Sequence, residues 1–170
     1  MCKVGRRTVA AGEVHVIQCA VRADGVTSPS ASALDLLAVG KFENGNSPRL
    51  PDLDQIELVD EILAICEEFA EHGLPQATRD LNQLEYGVWE FRAGWLRTAF
   101  YDTDGEGGYQ PKRTRYNAKS NPDWDEIPYF DPHIRLASCW GKVTKNTKGP
   151  DLKFTRQLRQ EDLDHDKTIA

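Results

Sequence analysis

The sequence predicts an α+β fold, and three observations carry that expectation. Apolar residues recur at helical spacing across residues 54–72, two neighbouring segments within residues 86–101 alternate with period two, and an apolar strand stands near each end of the chain. A chain of 170 residues is long enough to bury one core. No stretch approaches the roughly 20 apolar residues that span a bilayer. The opening MCKVGRRTVAAGEVHV is basic but lacks the apolar run of a secretory leader, so none is expected and no membrane partner is implied. Cys2, Cys19, Cys66 and Cys139 show neither CxxC pairs nor a disulfide framework, which points to reduced thiols in the cytoplasm.

The elements follow in order. Residues 14–21, VHVIQCAV, have strand composition and end at the turn Ala23-Asp24-Gly25. Ser28 suits a helix N-cap and Pro29 the first helical position, opening a short helix through Ala33, Leu34 and Leu37. Gly45-Asn46-Ser47-Pro48 reads as a loop. In the next helix Ile56, Val59, Ile62, Leu63, Cys66 and Phe69 form an apolar stripe opposite a row of glutamates, and Gly73 with Pro75 ends it. YGVWEFR and WLRTAFY then form a hairpin about Ala93-Gly94, with Trp89 and Phe91 on one face and Glu90 and Arg92 on the other. A third strand at residues 134–140 leads through the basic loop GKVTKNTKGP to a last helix from about Asp151. The expected core joins Ile56, Val59, Leu63 and Phe69 to Trp89, Phe91, Leu96 and Phe100. One domain is expected over residues 13–163. Residues 103–133 form an inserted, partly mobile surface loop, and residues 1–12 and 164–170 form flexible ends.

Net charge is −6, yet it is unevenly distributed. Residues 52–71 carry eight carboxylates and no Lys or Arg. Residues 134–160 carry Arg135, Lys142, Lys145, Lys148, Lys153, Arg156 and Arg159 against Asp151 alone. Such a split permits a polyanion on the basic face, and equally permits an ordinary solvated surface. Strand alternation sets Arg92 and Arg97 on neighbouring strands of the face turned from the helices. There they either grip a phosphate or bridge Glu90 and Asp102. Trp140, ending the third strand, is placed to stack on a base. No GxxxxGK[ST], GxGxxG, HExxH or GxSxG occurs, the four histidines are dispersed, and neither a metal nor another cofactor is implied.

Three segments together resemble the RelE/HigB superfamily of bacterial toxins, in particular its phage-derived HigB-like members. They are Leu84-Glu85-Tyr86-Gly87-Val88-Trp89-Glu90-Phe91-Arg92, then Leu96-Arg97-Thr98-Ala99-Phe100-Tyr101-Asp102, then residues 140–150, WGKVTKNTKGP. The resemblance implies a RelE-like fold: a small, antiparallel-dominated sheet with two N-terminal helices packed on it and a C-terminal helix. It also implies the toxin of a type II toxin-antitoxin pair, a metal-independent mRNA interferase associated with the ribosome and held by a cognate antitoxin, of helix-turn-helix type. In that reading Arg97 and Arg92 stabilise charge on the phosphoryl oxygens. Lys142 first, and Lys145 second, assist proton transfer, while Lys148, Trp140, Arg135, Lys153 and Arg156 contact RNA. The chain departs from the pattern at Val88 and Glu90, where some relatives place lysines, and at Leu152 and Phe154, where some place a tyrosine. A non-catalytic RNA- or protein-binding module of the same fold is the alternative.

Overall fold

The computed structural model describes residues 4–43, 52–115, 122–141 and 149–167. Among the described residues, three helices pack on a six-stranded mixed sheet, an α+β architecture. In chain order the elements are β1 (Thr8–Ala11), β2 (Val16–Cys19), α1 (Pro29–Ala38), α2 (Asp52–His72), β3 (Leu81–Glu85), β4 (Val88–Ala93), β5 (Leu96–Thr103), β6 (His133–Gly141) and α3 (Gly149–Lys167). The strands lie in the order β1-β2-β6-β5-β4-β3. β2 runs parallel to β6, and every other pairing is antiparallel.

Local chemistry accounts for the boundaries. Ser28 caps α1, its hydroxyl accepting the Ala31 amide at 3.4 Å, and Pro29 needs no helical donor. Gly73, at φ +74°, closes α2 in the left-handed region. The β4–β5 pairing sets Arg92 opposite Arg97 and Ala93 opposite Leu96. The hairpin loop is therefore Gly94-Trp95, one residue later than the sequence suggested, with Gly94 at φ +56°.

The two faces of the sheet are both covered. On one, α1 and α2 bury Leu34, Leu37, Ile62, Cys66 and Phe69 against Trp89, Phe91, Phe100, Ile134 and Leu136. Phe91 and Phe100 stack at 4.2 Å, and Phe69 meets Phe91 edge-on at 5.2 Å. On the other, Leu158 and Leu163 of α3 pack on Ala99, Tyr101, Ala137 and Trp140. This second layer also holds an ionic cluster. Arg135 reaches Asp162 at 2.8 Å and Asp166 at 2.9 Å, Arg6 reaches the same two carboxylates at 2.8 and 3.1 Å, and the Tyr101 hydroxyl donates to Asp162 at 2.5 Å. Burial pulls the Asp162 carboxyl up, but Arg135 and Arg6 pull it further down, so it lies below its ordinary value.

Several expectations are corrected. Residues 8–11 are a strand and the Arg6 side chain is buried in the ionic cluster, so residues 6–11 belong to the fold and are not a flexible tail. At the other end α3 continues to Lys167 and buries Asp166. Ile56 is 41% exposed and Leu63 only partly buried; the α2 stripe that reaches the sheet runs through Leu58, Ile62, Ile65, Phe69 and Ala70. Gln55 takes the inward position beside Ile56. Its side-chain oxygen accepts the Phe42 amide at 2.8 Å and its NH₂ donates to the Phe42 carbonyl at 3.2 Å.

The described parts of the insertion are not a solvated loop either. Ile127 and Phe130 join the main core, Phe130 edge-on to Trp89 at 5.1 Å. The Trp89 indole and the Gly87 amide both donate to the Lys112 carbonyl, at 3.1 and 3.0 Å. The Lys112 ammonium bridges Asp102 at 2.9 Å and Asp131 at 3.1 Å. Ile127 and Phe130 anchor this Gly- and Pro-rich segment to the core, while Trp124 and Tyr129 stay exposed.

Candidate functional site

The hairpin end of the sheet holds the charged cavity. Glu90, at the centre of β4, is fully buried, and its carboxylate accepts the Asn82 amide at 3.0 Å. Period-two alternation places Arg92 on the same face of β4, and register places Arg97 of β5 directly across from it. Both guanidiniums lean on Glu90, Arg97 Nε at 3.7 Å and Arg92 Nε at 4.0 Å. One carboxylate thus holds two cations close together, which like charges would otherwise oppose. Asp102, the other partner expected from sequence, is engaged by Lys112 instead.

Arg97 is fixed by more than charge. Its Nη1 donates to the Gly94 carbonyl at 2.6 Å and to the Leu96 carbonyl at 3.1 Å, and the residue is 8% exposed. Its buried Nε has no hydrogen-bond partner within 3.5 Å among the described residues. Burial pulls the guanidinium pKa down and Arg92 adds to this, while Glu90 opposes them; the net shift is downward. Arg92 is more open, its side chain about 30% exposed.

These residues line a cavity of about 380 Å³, whose walls are Glu61 of α2, Arg79 and Asp80 of the 3-10 turn Thr78–Asp80, Arg92, Gly94 and Arg97. Four separate segments therefore converge on three guanidiniums and two carboxylates. Burial pushes the Asp80 carboxyl above its ordinary value, against the pull of Arg79.

The remaining residues named from sequence scatter. Arg135 is 2% exposed and committed to Asp162 and Asp166, so it is not an RNA contact on an open face. Trp140 is 4% exposed beneath α3 and offers no ring to a base. The cause is common to both: α3 covers the face of β5 and β6 that alternation left open. Lys153 and Arg156 are exposed on α3, and Arg156 pairs with Glu85 at 3.2 Å. Lys142, Lys145 and Lys148 lie outside the described residues. The structure thus sets Arg92 and Arg97 side by side; Trp140 lies directly across from Arg97 on β6 but is buried, and Arg135 lies toward the other end of that strand.

Sequence reasoning missed Glu61, Arg79 and Asp80. Glu61 was one acid in a helix of many. Arg79-Asp80 directly precedes β3, a strand whose sequence, LNQLE, carries little β-signal and which forms by pairing with β4. Among the described residues, no cluster of three or more His, Cys, Asp or Glu could hold a metal, and no helix is long and apolar enough to cross a membrane. The three described cysteines, Cys19, Cys66 and Cys139, are free and buried, and burial pushes the Cys139 thiol up to about 12. Compared with known protein families and with curated proteins, the chain matches none.

Proposed function

We propose that this protein is an RNA-cleaving toxin of the RelE/HigB type, acting on mRNA in the cytoplasm without a metal and restrained by a cognate antitoxin. The observation that carries the reading is the cavity itself, where Arg79, Arg92 and Arg97 meet Asp80 and Glu61. The two helices between β2 and β3, the antiparallel run β3-β4-β5-β6, the parallel pairing of β2 with β6 and the closing helix support the RelE-like part of it.

Cleavage by internal transesterification needs two kinds of group, and the cavity supplies both. The substrate 2′-hydroxyl loses its proton to a base, its oxygen bonds to the adjacent phosphorus, and the phosphorus–O5′ bond breaks. The products are a 2′,3′-cyclic phosphate and a 5′-hydroxyl, the latter taking a proton as it leaves. Negative charge builds on the non-bridging oxygens, where Arg97 and Arg92 stabilise it. Arg97 is preorganised by two carbonyls and Glu90 and so needs little rearrangement. Asp80 lines the same cavity as the two arginines and is the carboxylate proposed to take the 2′-hydroxyl proton. Lys142 and Lys145 remain proposed proton-transfer partners, and ribosome association is part of the same proposal.

The test is induced expression followed by growth measurement and mapping of new RNA 5′-hydroxyl ends. Wild type should arrest growth and create such ends, with EDTA making no difference to cleavage by purified protein. Arg92→Ala and Arg97→Ala should each slow cleavage by about 10²–10³-fold, with thermal melting confirming that the variants are folded. Wild type that yields no new ends, on or off ribosomes, overturns the proposal.

A further inference from the structure

We infer that the arginine cavity selects its ligand by charge, admitting a singly charged phosphodiester and turning away a doubly charged phosphate monoester, with Asp80 as the residue that decides between them. The inference rests on the phosphate reading of the cavity given above. It adds which kind of phosphate fits.

The charges of the described residues fall into two layers by exposure. The inner layer is Glu90, fully buried, with Arg97 nearly so and Arg92 half-buried, both guanidiniums leaning on the one carboxylate. Two cations against one anion leave this layer with one positive charge in excess. The outer layer is Arg79 and Glu61, both exposed, and Asp80, half-buried. Two anions against one cation leave it with one negative charge in excess.

A phosphodiester carries one negative charge, which the inner excess matches. A monoester carries a second one near neutral pH. That second charge finds no further cationic excess, and it shares a small cavity with the carboxylates of Asp80 and Glu61. Like charges in a partly desolvated space repel more strongly than in water. A plain cluster of arginines would do the opposite and bind the dianion more tightly. Selection here therefore comes from the carboxylates in the wall, as a repulsive element set against the wrong ligand. Asp80 carries most of it, because Glu61 is exposed and screened by solvent.

The same balance accommodates cleavage. Before proton transfer the substrate phosphate holds one negative charge and the Asp80 carboxylate another. Afterwards Asp80 is neutral, and the phosphorus centre, now bonded to the 2′-oxygen, holds both. The sum does not change, so a cavity that rejects a ready-made dianion can hold one formed inside it.

The experiment is titration of the protein with dimethyl phosphate and with methyl phosphate at pH 7.5, followed by the broadening of the ligand phosphorus resonance. The first is singly charged; the second ionises again at about pH 6 and is mostly doubly charged. Neither carries a base or a ribose. Wild type should bind dimethyl phosphate about tenfold or more tighter than methyl phosphate. Asp80→Asn keeps the shape of the protonated carboxyl and should abolish or reverse that preference by tightening methyl phosphate. Glu61→Gln should move the ratio the same way by less, and Arg97→Ala should weaken both ligands. Melting temperatures confirm that each variant is folded. Wild type that prefers methyl phosphate or binds neither ligand, an Asp80→Asn ratio equal to wild type, or binding that survives Arg97→Ala overturns the inference. Mapping of new RNA 5′-hydroxyl ends keeps the two readings apart. Selectivity without such ends leaves this inference standing and removes the cleavage reading, whereas new ends with a preference for methyl phosphate do the reverse.

Discussion

Replacing Arg135 with alanine separates two accounts of the basic half of this chain. If Arg135 were a surface contact, its removal would weaken RNA binding and leave stability unchanged. The structure instead puts it, 2% exposed, between Asp162 at 2.8 Å and Asp166 at 2.9 Å. Alanine leaves two buried carboxylates sharing Arg6 alone. Removing one member of a buried ion pair costs about 3–5 kcal/mol, because the remaining charge is left desolvated without its partner. For a domain this size, with a urea dependence of about 2 kcal/mol per molar, the midpoint should fall by about 1.5–2.5 M. The pH dependence adds a second readout. Asp162 in the wild type is held below its ordinary value of 3.8, so its contribution is present above about pH 4 and is lost as pH falls through its folded value. Without Arg135, burial raises that carboxyl with less to oppose it, and protonation then relieves the variant. The gap between the two proteins should therefore narrow from pH 7 to pH 4. Urea melts followed by tryptophan fluorescence measure both effects. A variant with the wild-type midpoint and weakened RNA binding would refute the ionic-cluster account.

Two further outcomes are expected. His15 stacks on Phe69 at 5.2 Å with an interplanar angle of 13°, and burial holds its pKa below 6.5; the unfolded chain takes the proton first, so stability is present above pH 6.5 and is lost as pH falls below it. His15→Phe should flatten the change in urea midpoint between pH 7.5 and pH 5, and an unchanged slope would assign that window elsewhere. Gly87 sits at φ +88°, where an added Cβ would meet the Tyr109 hydroxyl and Pro111; Gly87→Ala should cost about 1–3 kcal/mol and speed proteolysis within residues 104–115, whereas wild-type stability would mean that the clasp over the β3–β4 turn is not tight.

The sequence reveals an element best where one periodicity runs long enough to be counted. α2 shows this, since its 21 residues leave little doubt about helix, although the first turn misplaced the stripe. Ile56 is as apolar as Ile62, but the chain needs an amide side chain beside it to bind both backbone groups of Phe42, and Gln55 turns inward instead. β1 and β3 were missed because TVAA and LNQLE are short and weakly patterned, and they become strands by adding to edges that stronger strands provide. The insertion was misjudged from its glycines and prolines. A segment's mean polarity does not tell whether one or two of its side chains, here Ile127 and Phe130, find a core.

The candidate site was legible to the extent that strand parity is. Alternation correctly sets Glu90, Arg92 and Arg97 on one face, and hairpin register brings the arginines opposite each other. Parity cannot say what lies over that face. α3 is a helix with charged residues throughout, so nothing in its composition announces that Leu158 and Leu163 will seal Tyr101 and Trp140 beneath it. Arg92 and Arg97 line a cavity at the hairpin end, whereas Arg135, toward the other end of β6, is consumed by the helix acids. Position along the strand, more than charge, therefore divides the cations. Arg135 is a structural counter-ion to Asp162 and Asp166, and Arg92 and Arg97 share Glu90 at the cavity wall. Arg79 and Asp80 complete the cavity because β3 extends the sheet by one strand at that same end, bringing in a charged pair that no local pattern links to the hairpin.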